Sequence, residues 1–476
     1  MFKIHLSALS GMVLLAACSS PPQPQSATAF AFVAQPCAPA FVSKDTACGS
    51  VVVPEDYAST SGRRISLNVI VFRALEPGVE KQAQFDLEGG PGFAVTDSAD
   101  FYATDGEPYR RSRDVVLVDM RGTGASNPLR CKAIEERSKA QPMAPLYPSD
   151  LVVECARQLA TVADLRQYTT AAAARDIDAV RQALGYSQID LNALSYGTTL
   201  ALRYIADYPQ HVRSAVLMGT VPADKTPPAH HALAAEHGLK LIFDACAADK
   251  ACAKRYPDLS AQLDRAMARL APEDRAVFLE KLRARLYLPA TARTVPSTIH
   301  AAAEGNLDAL AKPSSPGRVF ADGVYLSITC SESLARIDVD KAIAEADTTR
   351  FGSYRLVRQR AACDQWAIAP ADQKLFRTGS ASVPLLLLSG AFDPVSPVEW
   401  SAQTAAVFPN SRHVIVPQGA HVFEGLTGMD TCIDAMILKF VATRSVKEID
   451  DSCVGTMDAG PFVLDDAGEV QGAEKG

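Results

Sequence analysis

The chain has little that would suit a nucleic-acid partner or a resident metal. Lys and Arg total 47 against 54 Asp and Glu, a formal net charge of −7, so there is no cationic surplus to meet a phosphate backbone. Only eight histidines occur in 476 residues. No Cys-x-x-Cys pair and no His-Glu-x-x-His run is present, so zinc is disfavoured and no cofactor is expected. No internal repeat is found, which excludes a solenoid. The apolar run Leu6 to Ala17 is shorter than the ~20 residues a spanning helix needs. What remains is globular: 48% apolar and 21% charged, long enough for two or three structural units at ~150 residues each.

Cysteine is the anomaly, with an odd count of 11. Met1-Phe2-Lys3 is a short positive start, and the apolar run after it has signal-peptide length. It ends in Leu15-Ala16-Ala17-Cys18, which resembles a bacterial lipobox; the plainer alternative is an ordinary secretory signal with a chance cysteine. The resemblance implies cleavage after residue 17 and lipidation of Cys18. Ser19, rather than Asp, follows, which by the same resemblance favours an outer-membrane anchor facing the periplasm. Residues 18–36, with Ser19-Ser20-Pro21-Pro22, read as a tether. Setting Cys18 aside leaves ten cysteines, an even number suited to disulfides in an oxidising compartment. They fall into neighbouring couples: Cys37 with Cys48, Cys131 with Cys155, Cys246 with Cys252, Cys330 with Cys363, and Cys432 with Cys453. Short local loops are the least costly to close, although spacing alone leaves the pairing open.

Strand-like runs occur at 51–53, 65–72, 84–87, 114–119, 189–194, 214–218, 383–389 and 413–416, and helical patterns at 171–184, 198–208 and 436–443. Asp114-Val115-Val116-Leu117-Val118 is apolar without alternation after its first residue, as a strand covered on both faces requires. Strands alternating with helices specify an α/β fold with a mostly parallel sheet. Pro222, Pro227 and Pro228 open a stretch rich in Ala, Leu and charge with no strand-like run, so a helical cap over 222–376 interrupts a core at 37–221 and 377–455. The tail from 456 is rich in Gly and acids and reads as mobile.

Ala193-Leu194-Ser195-Tyr196-Gly197 lies between a strand and a helix, where a tight turn exposes a serine hydroxyl above the sheet; the plainer reading is a polar serine in a βα turn. Asp393 follows one later strand and His421 the next, giving the chain order Ser, Asp, His of α/β-hydrolases. A serine hydroxyl is too weak an acid to attack unaided, so His421 would take its proton and Asp393 would orient the imidazole. Backbone N–H groups of Tyr196 and of Gly90, in Gly89-Gly90-Pro91-Gly92, are candidates for the oxyanion hole.

These segments resemble the tripeptidyl-aminopeptidase and prolyl-aminopeptidase branch of the α/β-hydrolases. The matching pieces are GGPG at 89–92, DMRGTGASNPLRC at 119–131, DIDAVRQALG at 176–185, SYGTTLALRY at 195–204, TCSES at 329–333, CDQW at 363–366 and the stretch from LLSGAFDPVSPVEW to GAH at 387–421. The resemblance implies a serine peptidase that removes short peptides or single residues from free peptide N-termini through an acyl-enzyme, and it supports the neighbour pairing of cysteines. Departures are Glu88 where relatives often carry His or Pro, Ala193 for Gly, and Ser333 for Asp. Holding a substrate ammonium requires a carboxylate; Glu332 and Glu88 are the candidates, with a lid salt bridge or cap as the plainer role for Glu332 and a structural place for Glu88. Asp119 and Arg121 are expected to brace βα turns, Trp366 to pack in a core, and His230, His231 and His237 to be solvated. Expected partners are a peptide substrate and the membrane through the lipid. The competing readings are a carboxylesterase or lipase on this fold and a non-catalytic envelope-binding lipoprotein.

Overall fold

In the computed structural model the Val- and Leu-rich runs assemble into one nine-stranded sheet; residues 30–38, 45–78, 81–311, 318–372, 376 and 382–464 are described. The expected leader, Cys18 and the first part of the expected tether lie outside the described residues. The strands are β1 Phe32–Gln35, β2 Thr46–Pro54, β3 Arg64–Phe72, β4 Ala83–Leu87, β5 Asp114–Val118, β6 Ile189–Leu194, β7 Val212–Met218, β8 Leu385–Gly390 and β9 Ser411–Val416. Their order is β1-β2-β3-β5-β4-β6-β7-β8-β9. The pairings β1/β2, β2/β3 and β3/β5 are antiparallel, and every pairing from β5/β4 to β9 is parallel. Every residue of β4, β5 and β8 is buried, as expected of strands with helices on both faces. The edge strand β9 alternates instead, burying only Val414 and Val416.

Strand β1 corrects the assignment of 18–36 as tether. Phe32–Gln35 pairs with Cys48–Val51 of β2, and the Cys37–Cys48 disulfide closes beside it. Its single Val-Ala alternation is too short a signal to read as a strand; the neighbouring strand supplies the hydrogen bonds that order it.

Between β7 and β8 the described residues hold helices and turns but no strand. Packing divides this block. Leu239, Ile242, Leu263, Phe278, Leu282 and Ile299 form a core of the cap's own. Val324, Leu326, Ile328, Cys330 and Trp366 instead join the main core with residues of the sheet. Trp366 is buried there, with Nε1 donating to Ser327 Oγ at 3.1 Å, so it packs in a core as expected. The tail is also more ordered than its composition suggests as far as residue 464. Phe462 is buried against the cap, Val463 N donates to Arg293 O at 3.1 Å, and Tyr256 OH donates to Leu464 O. Aromatic Phe462 is the element that outweighs the Gly-rich composition.

All five neighbouring cysteine couples are disulfides, and each ties one local element to the next. Cys37 is bonded to Cys48 of β2. Cys131, at the start of the helix Lys132–Ala140, is bonded to Cys155 in the helix Ser149–Leu159. Cys246, near the end of the helix Pro227–Ala248, is bonded to Cys252 in the helix Lys250–Arg255, inside the cap core. Cys432 is bonded to Cys453, in the turn Ser452–Thr456. Cys330 is bonded to Cys363, which joins the turn carrying Glu332 to the helix Tyr354–Trp366.

Candidate active site

The carboxyl ends of parallel strands collect the candidate residues, as open α/β sheets generally do. After β6, Ser195 takes φ 55° and ψ −124°, a conformation that side-chain-bearing residues seldom adopt. The elbow is pinned on both sides: Ser195 N donates to Met218 O at 2.9 Å, and Thr198 N donates to Ser195 O at 2.8 Å. It also requires glycine neighbours. A Cβ on Gly89 would stand 2.9 Å from Ser195 Cβ, and one on Gly197 would overlap the Leu87 carbonyl. Ala193, the departure from the usual glycine, is buried within β6 in register with Leu87 and Leu217, so the methyl group is accommodated.

Asp393 and His421 follow β8 and β9. His421 Nδ1 donates to Asp393 Oδ2 at 2.8 Å, and both side chains are buried. A carboxylate only accepts, so this bond places the ring proton on Nδ1 and leaves Nε2 with its lone pair. Nε2 is buried and has no protein partner among the described residues. Asp393 is itself held: Oδ1 accepts from Val395 N at 2.7 Å and Ser396 N at 2.9 Å, and Oδ2 accepts from Ser396 Oγ at 2.7 Å.

Two supporting residues were not singled out from sequence. Ser396 Oγ lies 3.3 Å from His421 Nδ1 as well as bonding Asp393. Gly219, at φ +60°, leaves room for the imidazole, because a Cβ there would stand 2.9 Å from His421 Cε1. Only its place one residue beyond β7 hinted at a tight approach.

Ser195, His421, Gly90, Tyr196, Glu332 and Glu88 all line one cavity of about 790 Å³ beneath the cap. The disulfide cysteines do not line it: Cys155, Cys252 and Cys453, like their partners, serve the scaffold around the cavity and not its wall. Gly90 and Gly92 take φ +114° and +140°, so the loop bends back on itself where the Phe320 ring covers it. Tyr196 opens the helix Tyr196–Asp207, which directs its backbone N–H groups towards the serine end.

The two carboxylate candidates differ in their partners. Glu88 Oε1 accepts from Gly89 N at 2.7 Å, and Oε2 pairs at 3.0 Å with Arg318, which also pairs with Asp97 at 3.1 Å, so Glu88 already has a cationic partner. Glu332 is buried, and among the described residues no cation is bonded to its carboxylate, although Arg336 Nε donates to its backbone O; Thr170 donates to the carboxylate from N at 2.7 Å and from Oγ at 2.6 Å. Burial raises its carboxyl above the usual range, with the Thr170 bonds opposing. Thr170 Oγ in turn meets Tyr196 OH at 2.7 Å, which connects Glu332 to the residue after the serine.

Asp119 and Arg121 brace turns, as expected. Asp119 accepts from Asn68 Nδ2, Thr96 and Ala125 N, and Arg121 forms a bidentate pair with Asp176 at 2.6 and 2.7 Å. The expectation that the histidines of the 227–248 helix are solvated fails for His231. It is buried on the cavity wall, and burial followed by Arg283 and Arg355 pushes it well below the usual histidine range. The helix Pro227–Ala248 turns that face towards the cap core, a choice that charge composition does not reveal.

Known proteins share this fold. Residues 87–303 match the alpha/beta hydrolase fold family, and 348–453 match the TAP-like protein family. The chain is 27% identical over 463 residues to a tripeptidyl aminopeptidase of Streptomyces lividans, covering 86% of this chain and 84% of that one. It is 24% identical over 455 residues to serine protease Hip1 of Mycobacterium tuberculosis, covering 83% and 84%. Over 222 residues it is 31% identical to carboxylesterase B of Mycobacterium tuberculosis, covering 44% and 42%. The chain has the α/β-hydrolase fold. The relatives that match over most of its length are named as a tripeptidyl aminopeptidase and a serine protease.

Proposed function

We propose that this protein is a serine exopeptidase that cleaves peptides near a free N-terminus through an acyl-enzyme. The observation that carries the reading is the buried Asp393–His421 bond on the cavity that also receives the Ser195 elbow. His421 Nε2 takes the Ser195 proton as Oγ attacks the scissile carbonyl, Asp393 holds the imidazolium, and Gly90 and Tyr196 N–H groups receive the oxyanion. His421 then protonates the leaving amine, and water resolves the ester by the same route. Glu332 receives the substrate ammonium. Among the described residues no cation bonds its carboxylate, which supports that role over Glu88, which Arg318 occupies.

The test is a panel of one-, two- and three-residue chromogenic amides, free and N-acetylated, beside a short-chain ester. Free amides should be cleaved far faster than blocked ones. Equal rates would remove the aminopeptidase reading, and turnover of the ester alone would favour the esterase reading suggested by the partial match to carboxylesterase B.

We further propose that the protein is lipid-anchored at Cys18 in a bacterial envelope, facing the periplasm. The Leu15-Ala16-Ala17-Cys18 sequence and five disulfides support this, since such bridges persist in oxidising compartments. Cys18→Ser should move the protein from the detergent-soluble membrane fraction to the soluble one; unchanged fractionation would refute the anchor.

A further inference from the structure

Two arginines that line the cavity share a single acid. Arg283, from the helix Pro272–Arg285, and Arg355, from Tyr354–Trp366, share Glu280: Arg283 Nε donates to Oε2 at 3.2 Å, and Arg355 Nε lies 3.3 Å from the same oxygen. Two guanidinium groups thus face one acid. Their side chains are 4% and 18% exposed, so water screens them little. Arg355 Nη1 is buried and makes no hydrogen bond among the described residues, while Nε meets Glu280 only as an ion pair. Buried donors left unbonded are costly, and native structures retain few of them without a purpose. Neighbouring His231 adds no acid to the cluster; its burial and these arginines push it well below the usual histidine range.

The position of the cluster identifies what it meets. Arg283 Nη1 donates to Tyr287 OH at 2.7 Å, and the Tyr287 and His421 rings meet in a T-shaped contact with centroids 5.4 Å apart. Glu332, by contrast, joins the Tyr196 side through Thr170. His421 is the group that protonates the departing amine, so the arginines stand on the leaving-group side. A planar guanidinium pair is suited to a carboxylate.

Resting on the exopeptidase reading above, we propose that Arg355 and Arg283 form a carboxylate-binding subsite for the leaving portion of the peptide. The carboxylate has two sources, an acidic side chain just after the scissile bond or the C-terminus of a short substrate.

The experiment compares kcat/KM for four peptides with free N-termini: Glu or Gln after the scissile bond, each with a free or an amidated C-terminus. One member of at least one pair, Glu over Gln or free acid over amide, should be favoured about ten- to hundredfold. The pair that shows the preference identifies the source. Arg355→Gln should bring that ratio close to one, while Arg355→Lys should retain part of it; the ratio is internal, so partial loss of folded enzyme does not affect it. Equal rates for all four peptides in the wild type, with cleavage intact, overturn the subsite alone. A ratio unchanged in Arg355→Gln also overturns it. Failure to cleave any of the four overturns the exopeptidase reading and the subsite together.

Discussion

Thr170 grips both oxygens of Glu332, donating from its backbone N to Oε1 and from Oγ to Oε2. The carboxylate therefore sits at the start of the helix Thr170–Leu184, where the helix dipole favours negative charge. This contact, with the charge of nearby Arg336, explains how an acid can remain on the cavity wall with no cation bonded to its carboxylate among the described residues. It also makes one residue both a helix partner and a candidate ammonium anchor, so the two roles must be separated by measurement. In Glu332→Gln, KM for free peptides should rise about tenfold or more while short-chain ester turnover changes little. A parallel loss on both substrates would leave Glu332 with the helix role only. Because burial raises its carboxyl, the wild-type KM for free peptides should begin to rise on acidification at a higher pH than an exposed glutamate would give.

Gly219 admits His421 into its place. Gly219→Ala puts a Cβ 2.9 Å from His421 Cε1 at a backbone φ of +60°. Displacing the imidazole should reduce kcat about a hundredfold, since small misplacements in an active site have effects of that order. Circular dichroism should remain native. Full activity in a folded variant would show that the ring tolerates the shift.

Asp86 gives a pH signature of stability. It is buried in β4, where desolvation lifts its carboxyl to about 6 against the opposing bonds from Tyr102, Gln84 and Asn192. The folded state therefore binds this proton more tightly than the unfolded chain does. The contribution is fully present below the unfolded value of 3.8 and is lost as pH rises through about 6. Its size is about 3 kcal/mol. Asp86→Asn removes the titration, so urea midpoints should show the variant gaining on the wild type between pH 4 and pH 7. A constant difference across that range would show that Asp86 does not carry the raised value.

Cys330–Cys363 closes a separation of 33 residues next to Glu332. Replacing both cysteines by serine should cost about 2–4 kcal/mol by relieving the constraint on the unfolded chain. Loosening the turn should also weaken binding of free peptides. Denaturant melts and KM for free and blocked amides test the two effects separately; unchanged values in both would make the bridge redundant.

The apolar patterning of the strands was readable in the linear chain because β5 and β8 are covered on both faces and run without alternation. Ser195, Asp393 and His421 were readable because each follows a strand, and strand ends converge in a parallel sheet whatever lies between them. The neighbouring cysteine pairs followed from short loops and from resemblance. Strand β1 was not readable, since four residues order only against a partner. His231 and Phe462 were hidden for a related reason: whether a side chain faces water or a cap depends on helices brought from elsewhere in the chain. Contacts between distant residues account for the rest. Glu332 meets Thr170 across 162 positions, Arg283 and Arg355 converge on Glu280, and Gly219 makes room for a histidine two strands away. Spacing along a chain carries local geometry, whereas the charge balance of a buried cavity is decided only when separate elements pack around it.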